Sequence, residues 1–524
     1  MNKIPLLGNP YQGRSTISSA QRAINIYAED NGPSPQSPFP FTAYHTPGSL
    51  LFTSAIVPTG SNGKVRGVYR TTAGTAYAVV GPTVYAVSSN GGLSYVGSIA
   101  DAPNQVYMAD NGLAVVLVDG SKNGYAIDMA TNDFGSIIDP SFLGADFVQY
   151  LDTFFIFNNP GTNQFYISLS LVNFNLLTAG TSFDPLDIAA KSGSADPIAA
   201  IVVLHQNLWL VGTLTTEIWI GTGAADFFFQ QVQGAYIDHG CAAQYSIATQ
   251  DVLVFFLQED LQGNCLVLQG QGYDVTEIST PRIVSEFRAY STVADAIGFC
   301  FQLEDHSYYA LVFPTANKGW LYDLTTSAKL GFPCWYEWNS IDAQGNLIRP
   351  RANCVMFFNN LNLIGDYANG NILALDINTN TDVDFPDCDF QRGAGGDTNL
   401  IYLEHAALRN RLSDVIGLGE WSFEIIRSWN EDFTAGNPAK PAVRVYVEGM
   451  LLIRGCKVGV AIGDGNYFKS NAKGNYGDAY ESAKTAAFRR CAKDFGVGLQ
   501  CFSKDWCEAW KQKYKNFERP EKSK

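Results

Sequence analysis

Charge is scarce in this chain: only 16% of its 524 residues are charged, and 35 Lys and Arg stand against 50 Asp and Glu for a formal net charge of −15. A body with that balance does not attract nucleic acid through bulk charge. No run of 18 or more apolar residues occurs, and Met1-Asn2-Lys3-Ile4-Pro5 leads into no apolar signal core. The sequence therefore offers neither a membrane-spanning helix nor a secretory signal, and no membrane partner is expected. The ten cysteines, spread from Cys241 to Cys507, contain no C-x-x-C pair. Reduced and mostly buried thiols are the expectation, in keeping with a cytoplasmic site of synthesis. The G-x-x-x-x-G-K-[ST], H-E-x-x-H and G-x-S-x-G patterns are also missing. Without the minimum parts for phosphate cradling, zinc proteolysis or a nucleophile elbow, the chain is expected not to be an enzyme and to need no cofactor or metal.

What the chain does have is 13% aromatics and 49 glycines, the composition of a β-rich body with many tight turns. It also changes sign. Residues 1–404 hold 15 Lys and Arg against 36 Asp and Glu, whereas residues 405–524 hold 20 against 14. Function has to be argued separately for an acidic part and a small basic part carrying aromatics.

One pattern recurs between Tyr77 and Asp376: a short apolar strand, a turn holding Gly, Asn or Asp, and a second strand that often carries an aromatic. It starts at Tyr77, Ala114, Phe154, Leu208, Val252, Tyr308 and Leu361, at spacings of 37, 40, 54, 44, 56 and 53 residues. Segments this short, separated by such turns, are hairpins. A lone hairpin is unstable, and a repeat of about 40–50 residues with room for two flanking strands fits the blade of a β-propeller. Six or seven blades are expected over residues 64–390. The irregular spacing leaves a two-sheet β-sandwich, or a propeller with inserted loops, as alternatives. Residues 1–63 read as an extended arm, because Asn31-Gly-Pro-Ser-Pro-Gln-Ser-Pro-Phe-Pro40 contains four prolines that remove ladder donors and fix φ. Such arms commonly lie across a neighbouring subunit.

Candidate catalytic groups in this part do not assemble. Arg66, Arg70, Arg282, Arg288 and Arg351 show no spacing that would gather them around a glycan, and each reads as a surface or loop-pinning arginine. Asp366 and Asp376 read as acceptors for turn amides, and His205, His239 and His306 as satisfied structural histidines.

The motifs Leu6-Leu-Gly-Asn-Pro-Tyr11, Ala23-Ile-Asn-Ile-Tyr27, His45-Thr-Pro-Gly48, Arg66-Gly67 and Gly365-Asp-Tyr-Ala-Asn-Gly-Asn-Ile-Leu373 resemble the packaged-DNA stabilization proteins of tailed phages. The resemblance covers roughly residues 4–390. It implies a propeller-like tail accessory factor, several copies of which form a ring that extends the portal and keeps the genome in the head. Its implied partners are the portal and other tail proteins, and its implied locations are the bacterial cytoplasm during assembly and the virion.

The segment 391–397 has the composition of a linker, and beyond it the periodicity switches. Residues 398–510 read as a small α/β module: a helix with Leu408, Leu412 and Val415 on one face and Gly417 at its end, three strands, and a second helix. The strands are placed at Trp421–Ile426, Ala442–Val447 and Leu451–Val460. The second helix opens on a capping box of Asp478 and Glu481, buries Phe488, Cys491, Ala492 and Phe495, and stops at Gly496. Phe502, Trp506 and Trp510 follow, and 511–524 is a charged tail. Arg489, Arg490 and Lys493 fall off the apolar stripe, where they can meet successive phosphates, with Lys469 and Lys473 as the opposite wall of a groove. A solvated helix face with ordinary i, i+4 charges is the alternative.

Ile401-Tyr-Leu-Glu404, Arg411-Leu-Ser-Asp-Val-Ile-Gly417, Glu420-Trp421 and, above all, the run from Gly477 to Gly496 with its Phe488-Arg-Arg-Cys-Ala-Lys-Asp-Phe495 core resemble the Rad/Sak-type single-strand annealing proteins of recombination and double-strand-break repair. That resemblance, over about residues 398–510, implies oligomeric rings holding single-stranded DNA in a basic groove without ATP, and places the family's paired basic residues on Arg489 and Arg490. Two functions are thus expected, a structural phage tail protein and, alternatively, a DNA-annealing recombination protein. A glycan hydrolase on the propeller is a distant third.

Overall fold

The computed structural model describes residues 10–14, 22–30, 41–58, 60–224, 226–260, 262–341, 346–380, 390–392, 401–403, 405–416, 421–434, 441–453, 456–469, 475–494 and 507–508. Several expectations fall outside these residues: the opening motif up to residue 9, the Pro-rich segment 31–40, positions 393–397 of the linker, the helix ends at Gly417 and Gly496, Lys473, Phe495, Phe502, Trp506, Trp510 and the charged tail 511–524. The chain divides into two compact units, one of Leu7–Asp342 with Asn346–Asp382 and one that includes Val383–Lys524.

Seven four-stranded antiparallel sheets make up the first unit, spanning 65–98, 107–136, 148–190, 198–237, 248–277, 297–337 and 352–380. The innermost strand of each sheet lies beside that of the next, through the 3-10 turn Gln244–Ser246 between the fourth and fifth, and that of the seventh returns to the first. The closed circuit makes these the blades of a seven-bladed β-propeller and removes the sandwich alternative. Closure uses a strand from the arm: Pro47–Ser54 pairs antiparallel with Asn371–Asn380 as the outermost strand of the seventh blade. The ring is thereby fastened by both ends of the propeller sequence.

The wholly apolar strands follow from this geometry, because a blade between two others buries both faces. In Ala76–Val80 of the first blade, Ala76, Ala78 and Val80 pack against Met356, Leu363 and Ile372 of the seventh, while Tyr77 and Val79 pack against Val115, Leu117 and Ile127 of the second. Ala114, Val116 and Val118 then turn to the third blade, against Phe155, Phe157 and Tyr166. Each buried Val, Leu, Ile, Phe or Met among them contributes about 1.5–3 kcal/mol by leaving water. Three tight turns, at Asp152-Thr153, Glu304-Asp305 and Asn359-Asn360, take positive φ at both residues, the twist that suits two-residue hairpin loops.

The described parts of the arm before Pro47 rest on the sixth blade of their own chain. Tyr11 donates to Glu337 Oε1 at 2.5 Å, and Arg22 donates to both Glu337 oxygens at 2.8 and 2.6 Å. Ile26–Asp30 and Phe41–His45 pair as a hairpin, with Tyr27 packed edge-on against His306 and Tyr308.

In the second unit, helix α1 (His405–Ile416), strands β1 (Trp421–Thr434), β2 (Pro441–Ile453) and β3 (Cys456–Phe468), and helix α2 (Tyr476–Asp494) form a three-stranded meander flanked by helices. The expected order holds, with longer strands: Leu451, Leu452 and Ile453 finish β2, and β3 begins at Cys456, which pairs with Ile453. Phe390–Arg392, at the start of the expected linker, pairs with Ile401–Leu403. Helix α2 starts before the expected capping box. Asn475 accepts from the Asp478 amide at 2.9 Å and caps the helix, whereas Glu481 turns to Lys484 at 3.4 Å; a neutral amide oxygen serves as well there as a carboxylate. Among the described residues no helix is long and apolar enough to cross a membrane, no disulfide forms, and no group of three or more His, Cys, Asp or Glu is placed to hold a metal.

Candidate nucleic-acid interface

The second unit is built around the closeness of α2 to the sheet. Val443, Val445, Val447 and Leu451 of β2 point to the helix side and are buried, and opposite them on β3 stand Tyr467, Gly465, Gly463 and Gly459. A methyl group on Gly463 would run into the Ala483 carbonyl, and one on Gly465 into the Ala479 carbonyl. Glycine on β3 and alanine on α2 (Ala479, Ala483, Ala487) therefore let the helix lie on backbone. Toward the helix C-terminus the filler changes: Phe488 is fully buried among Trp421 (5.7 Å, stacked), Phe423 (5.2 Å) and His405 (5.2 Å, edge-on).

That anchoring aims the basic residues that follow. Arg490 goes to the edge strand, its guanidinium donating to the Ile462 carbonyl and to Asp464 Oδ1 at 3.2 Å. Arg489 belongs to another group. Its charge acts on His405 together with those of Arg409 and Lys484, while the Arg409 guanidinium lies 5.0 Å over the Trp421 ring and 6.0 Å over Phe488. Burial first, then Arg409, Arg489 and Lys484, push the His405 pKa below its ordinary 6.5, with Glu481 opposing. Three cationic side chains from two helices thus act on one imidazole beside an aromatic wall.

The residues expected to bind phosphate are only partly brought together. Lys493 is half-buried on α2, one turn beyond Arg489 and Arg490. Lys469 is tied to Asp432 Oδ1 at 2.8 Å, just past the end of β3 that lies under the first turns of α2. Because Ala479 packs there and Phe488 at the Trp421 end, Lys469 lies roughly 14 Å along the helix axis from the Arg489 cluster, at a rise of about 1.5 Å per residue. His405, Arg409 and Lys484 were missed by the sequence reading. The i, i+4 spacing of His405 and Arg409 puts them on one helix face, but nothing local says that this face meets α2.

The far side of the sheet has a different character. Trp429 and Tyr446 stack at 5.2 Å, Arg427 lies 5.0 Å over Trp429 and 2.5 Å from Glu448, and Arg444 donates to Asn466. Glu431, Glu448 and Asp464 share that face, so its cations are balanced and it suits a phosphate chain poorly.

In the propeller the candidate arginines stay apart. Arg66 is fully buried, ion-paired to Asp119 at 3.0 Å and bonded to the carbonyls of Asn104, Gly81 and Ala100. Arg282 pairs with Glu286 along its own helix, and Arg351 with Asp366, which also accepts from the Ala368 amide at 2.8 Å. His306 Nδ1 lies 2.8 Å from buried Asp323, and His239 Nδ1 lies 2.7 Å from Gln258 Oε1.

Comparison with known proteins divides the chain in the same way. The family model described as bacteriophage P22 Gp10, beta-propeller, matches residues 33–380, and that described as mitochondrial genome maintenance MGM101 matches residues 394–523. The mitochondrial genome maintenance protein mgm101 homolog of Dictyostelium discoideum is 32% identical over 122 residues, a match covering 22% of this chain and 28% of the relative's own length. Among solved structures, the WD40 β-propeller domain of Doa1 is similar with a TM-score of 0.36 at 9% identity, over 63% of this chain and 96% of that one. The computationally designed Ika8 protein is similar with a TM-score of 0.32 at 11% identity, over 63% and 100%.

Proposed function

We infer the function from one premise: the chain belongs to the bacteriophage P22 Gp10, beta-propeller, family, and joins to that propeller a domain of the MGM101 annealing type. The protein is a structural phage component, a portal or tail accessory factor that stabilises packaged DNA, and it carries a module for single-stranded DNA. Its partners are the portal and other tail proteins, its copies form a ring, and it resides in the virion after assembly in the host cytoplasm. The observation that carries this reading is the closed seven-bladed propeller, which takes up most of an acidic chain. An acidic surface lets DNA slide past instead of adhering. The test is mass spectrometry of purified particles, together with deletion of the gene. The protein should copurify at several copies per particle, and the deletion should yield heads that lose their DNA. Its absence from particles would reject the structural role.

A second reading, DNA annealing in recombination or repair, is favoured by the cluster of Arg409, Lys484 and Arg489 beside Trp421. Cations set against an aromatic wall suit single strands, whose phosphates and bases both need partners. Annealing draws on binding energy, so neither reading requires covalent chemistry. DNA binding by Arg489, Arg490, Lys493, Lys469 and Lys473 belongs to this proposal, with Arg409 and Lys484 added to it.

A further inference from the structure

His405 is the one histidine of the second unit, and it lies at the centre of that unit's cationic cluster. We propose that His405 is a proton-linked phosphate contact: when single-stranded DNA binds at the cluster between α1 and α2, the imidazole takes up a proton. The inference rests on the annealing reading above and specifies how its site responds to pH.

The geometry supplies the argument. The His405 ring stands edge-on to Phe488 at 5.2 Å, at the first residue of α1, and is about half-buried. Arg409 follows one turn later on the same helix face, over Trp421. From α2, Arg489 comes directly after Phe488, and Lys484, bound to Glu481 at 3.4 Å, lies one turn before it. Among the described residues, the main charges acting on the ring are Arg409 from its own helix and Lys484, Arg489 and Glu481 from α2, while β1 presents the aromatic Trp421 and Phe423.

Burial, and then three cations against one carboxylate among the described residues, make a protonated imidazole unfavourable while the cluster faces water. A phosphate seated among them reverses the sign of the local potential and supplies an acceptor for a ring N–H. The same anion that Arg409 and Arg489 attract therefore stabilises the imidazolium. Phosphodiesters and bases do not titrate between pH 5.5 and 7.5, so histidine is the side chain suited to respond in that interval. The free ring has a pKa below 6.5, and binding raises it. Between the free and bound values, binding takes up as much as one proton per subunit. Affinity then rises as pH falls, by up to about tenfold per pH unit, and is flat on either side.

The experiment is calorimetry of the full chain with oligothymidylate at pH 6.5, in buffers of differing ionisation enthalpy, beside hydrogen exchange at the His405 C2 position read by mass spectrometry. The expected result is a binding enthalpy that varies with the buffer, a His405 pKa that rises on adding DNA, and, in His405→Gln, loss of the buffer dependence with affinity lowered at acid pH toward the value that the unchanged protein shows at high pH. Tight binding with no buffer dependence, or an exchange-derived pKa that DNA leaves unmoved, overturns the inference and leaves the annealing reading standing. Absence of binding at every pH removes both. The exchange measurement needs no substitution, so a folding defect in the variant does not obscure the answer.

Discussion

Arg490 holds Asp464 at 3.2 Å across the edge of β3, and the residue before it, Arg489, acts on His405 from the side of α1. Consecutive helical residues differ by about 100° around the axis, so a pair that reads as one patch in sequence serves two elements. Arg490 gives the last edge of the sheet a partner at the Ile462 carbonyl, a use of arginine that blunts an exposed strand.

The two arginines should therefore differ on substitution. Arg489→Ala is expected to weaken single-stranded DNA binding and to lower the slope of log K against log salt by about one phosphate contact, roughly 0.7. Arg490→Ala should change that slope less and cost under about 1 kcal/mol of stability, as exposed ion pairs do. Titrations from low to high salt with each variant decide it. Equal slopes for the two would show that the structural division between them has no counterpart in binding.

Gly463→Ala is expected to be among the most damaging small substitutions in the second unit. The added methyl meets the Ala483 carbonyl, which is helix backbone, not a yielding side chain. Overpacking of this kind costs about 1–3 kcal/mol, and α2 must lift away from β3. Hydrogen exchange of the α2 amides in the full chain should speed up while the propeller amides keep their rates. Unchanged protection of Tyr476–Asp494 would mean that the sheet has room the glycines do not require.

Much of this architecture is legible in the sequence, for a physical reason. A blade flanked by two others must bury both faces, so runs such as Ala76–Val80 and Ala114–Val118 are apolar throughout, and the repeat shows through a spacing that varies from 37 to 56 residues. The closing strand Pro47–Ser54 is not legible, because its partner Asn371–Asn380 is over 300 residues away and an outermost strand needs only one apolar face; Leu50 and Leu51 are largely exposed. The same limit governs the candidate site. Arg489 stands out because it sits in a run of basic residues after a helical stripe, whereas Arg409 and His405 gain their meaning only through Phe488 and Trp421, which long-range packing brings between them.

The buried pair of Arg66 and Asp119 yields a prediction for the propeller. Both side chains are excluded from water, and Arg66 also satisfies three loop carbonyls. Removing one member of such a pair leaves an uncompensated charge, at about 3–5 kcal/mol. Arg66→Met should cost at least as much as Asp119→Ala, since it strands Asp119 and the carbonyls of Gly81, Ala100 and Asn104 together. Urea denaturation of both variants provides the comparison, and a milder effect for Arg66→Met would mean that water replaces the guanidinium.

Acid should act on the propeller through Asp196. Burial by itself raises the pKa of this carboxyl, but the Lys191 ammonium at 2.8 Å, the Leu214 amide at 2.9 Å and the Thr215 hydroxyl at 2.7 Å outweigh it and hold the group well below the usual carboxylate range. A carboxyl whose folded pKa lies below its unfolded value binds protons more readily when unfolded. Its contribution to stability is therefore complete above the unfolded value of about 3.9 and declines as pH falls toward the folded one. Asp196→Asn keeps the shape, loses the charge opposite Lys191, and should be less stable than wild type at pH 7. The gap should narrow at pH 3, where the unfolded wild type has begun to take up a proton that the folded carboxyl does not bind. Urea midpoints of the two proteins at both pH values measure this, and a gap of constant size would place the acid sensitivity of the propeller in other carboxylates.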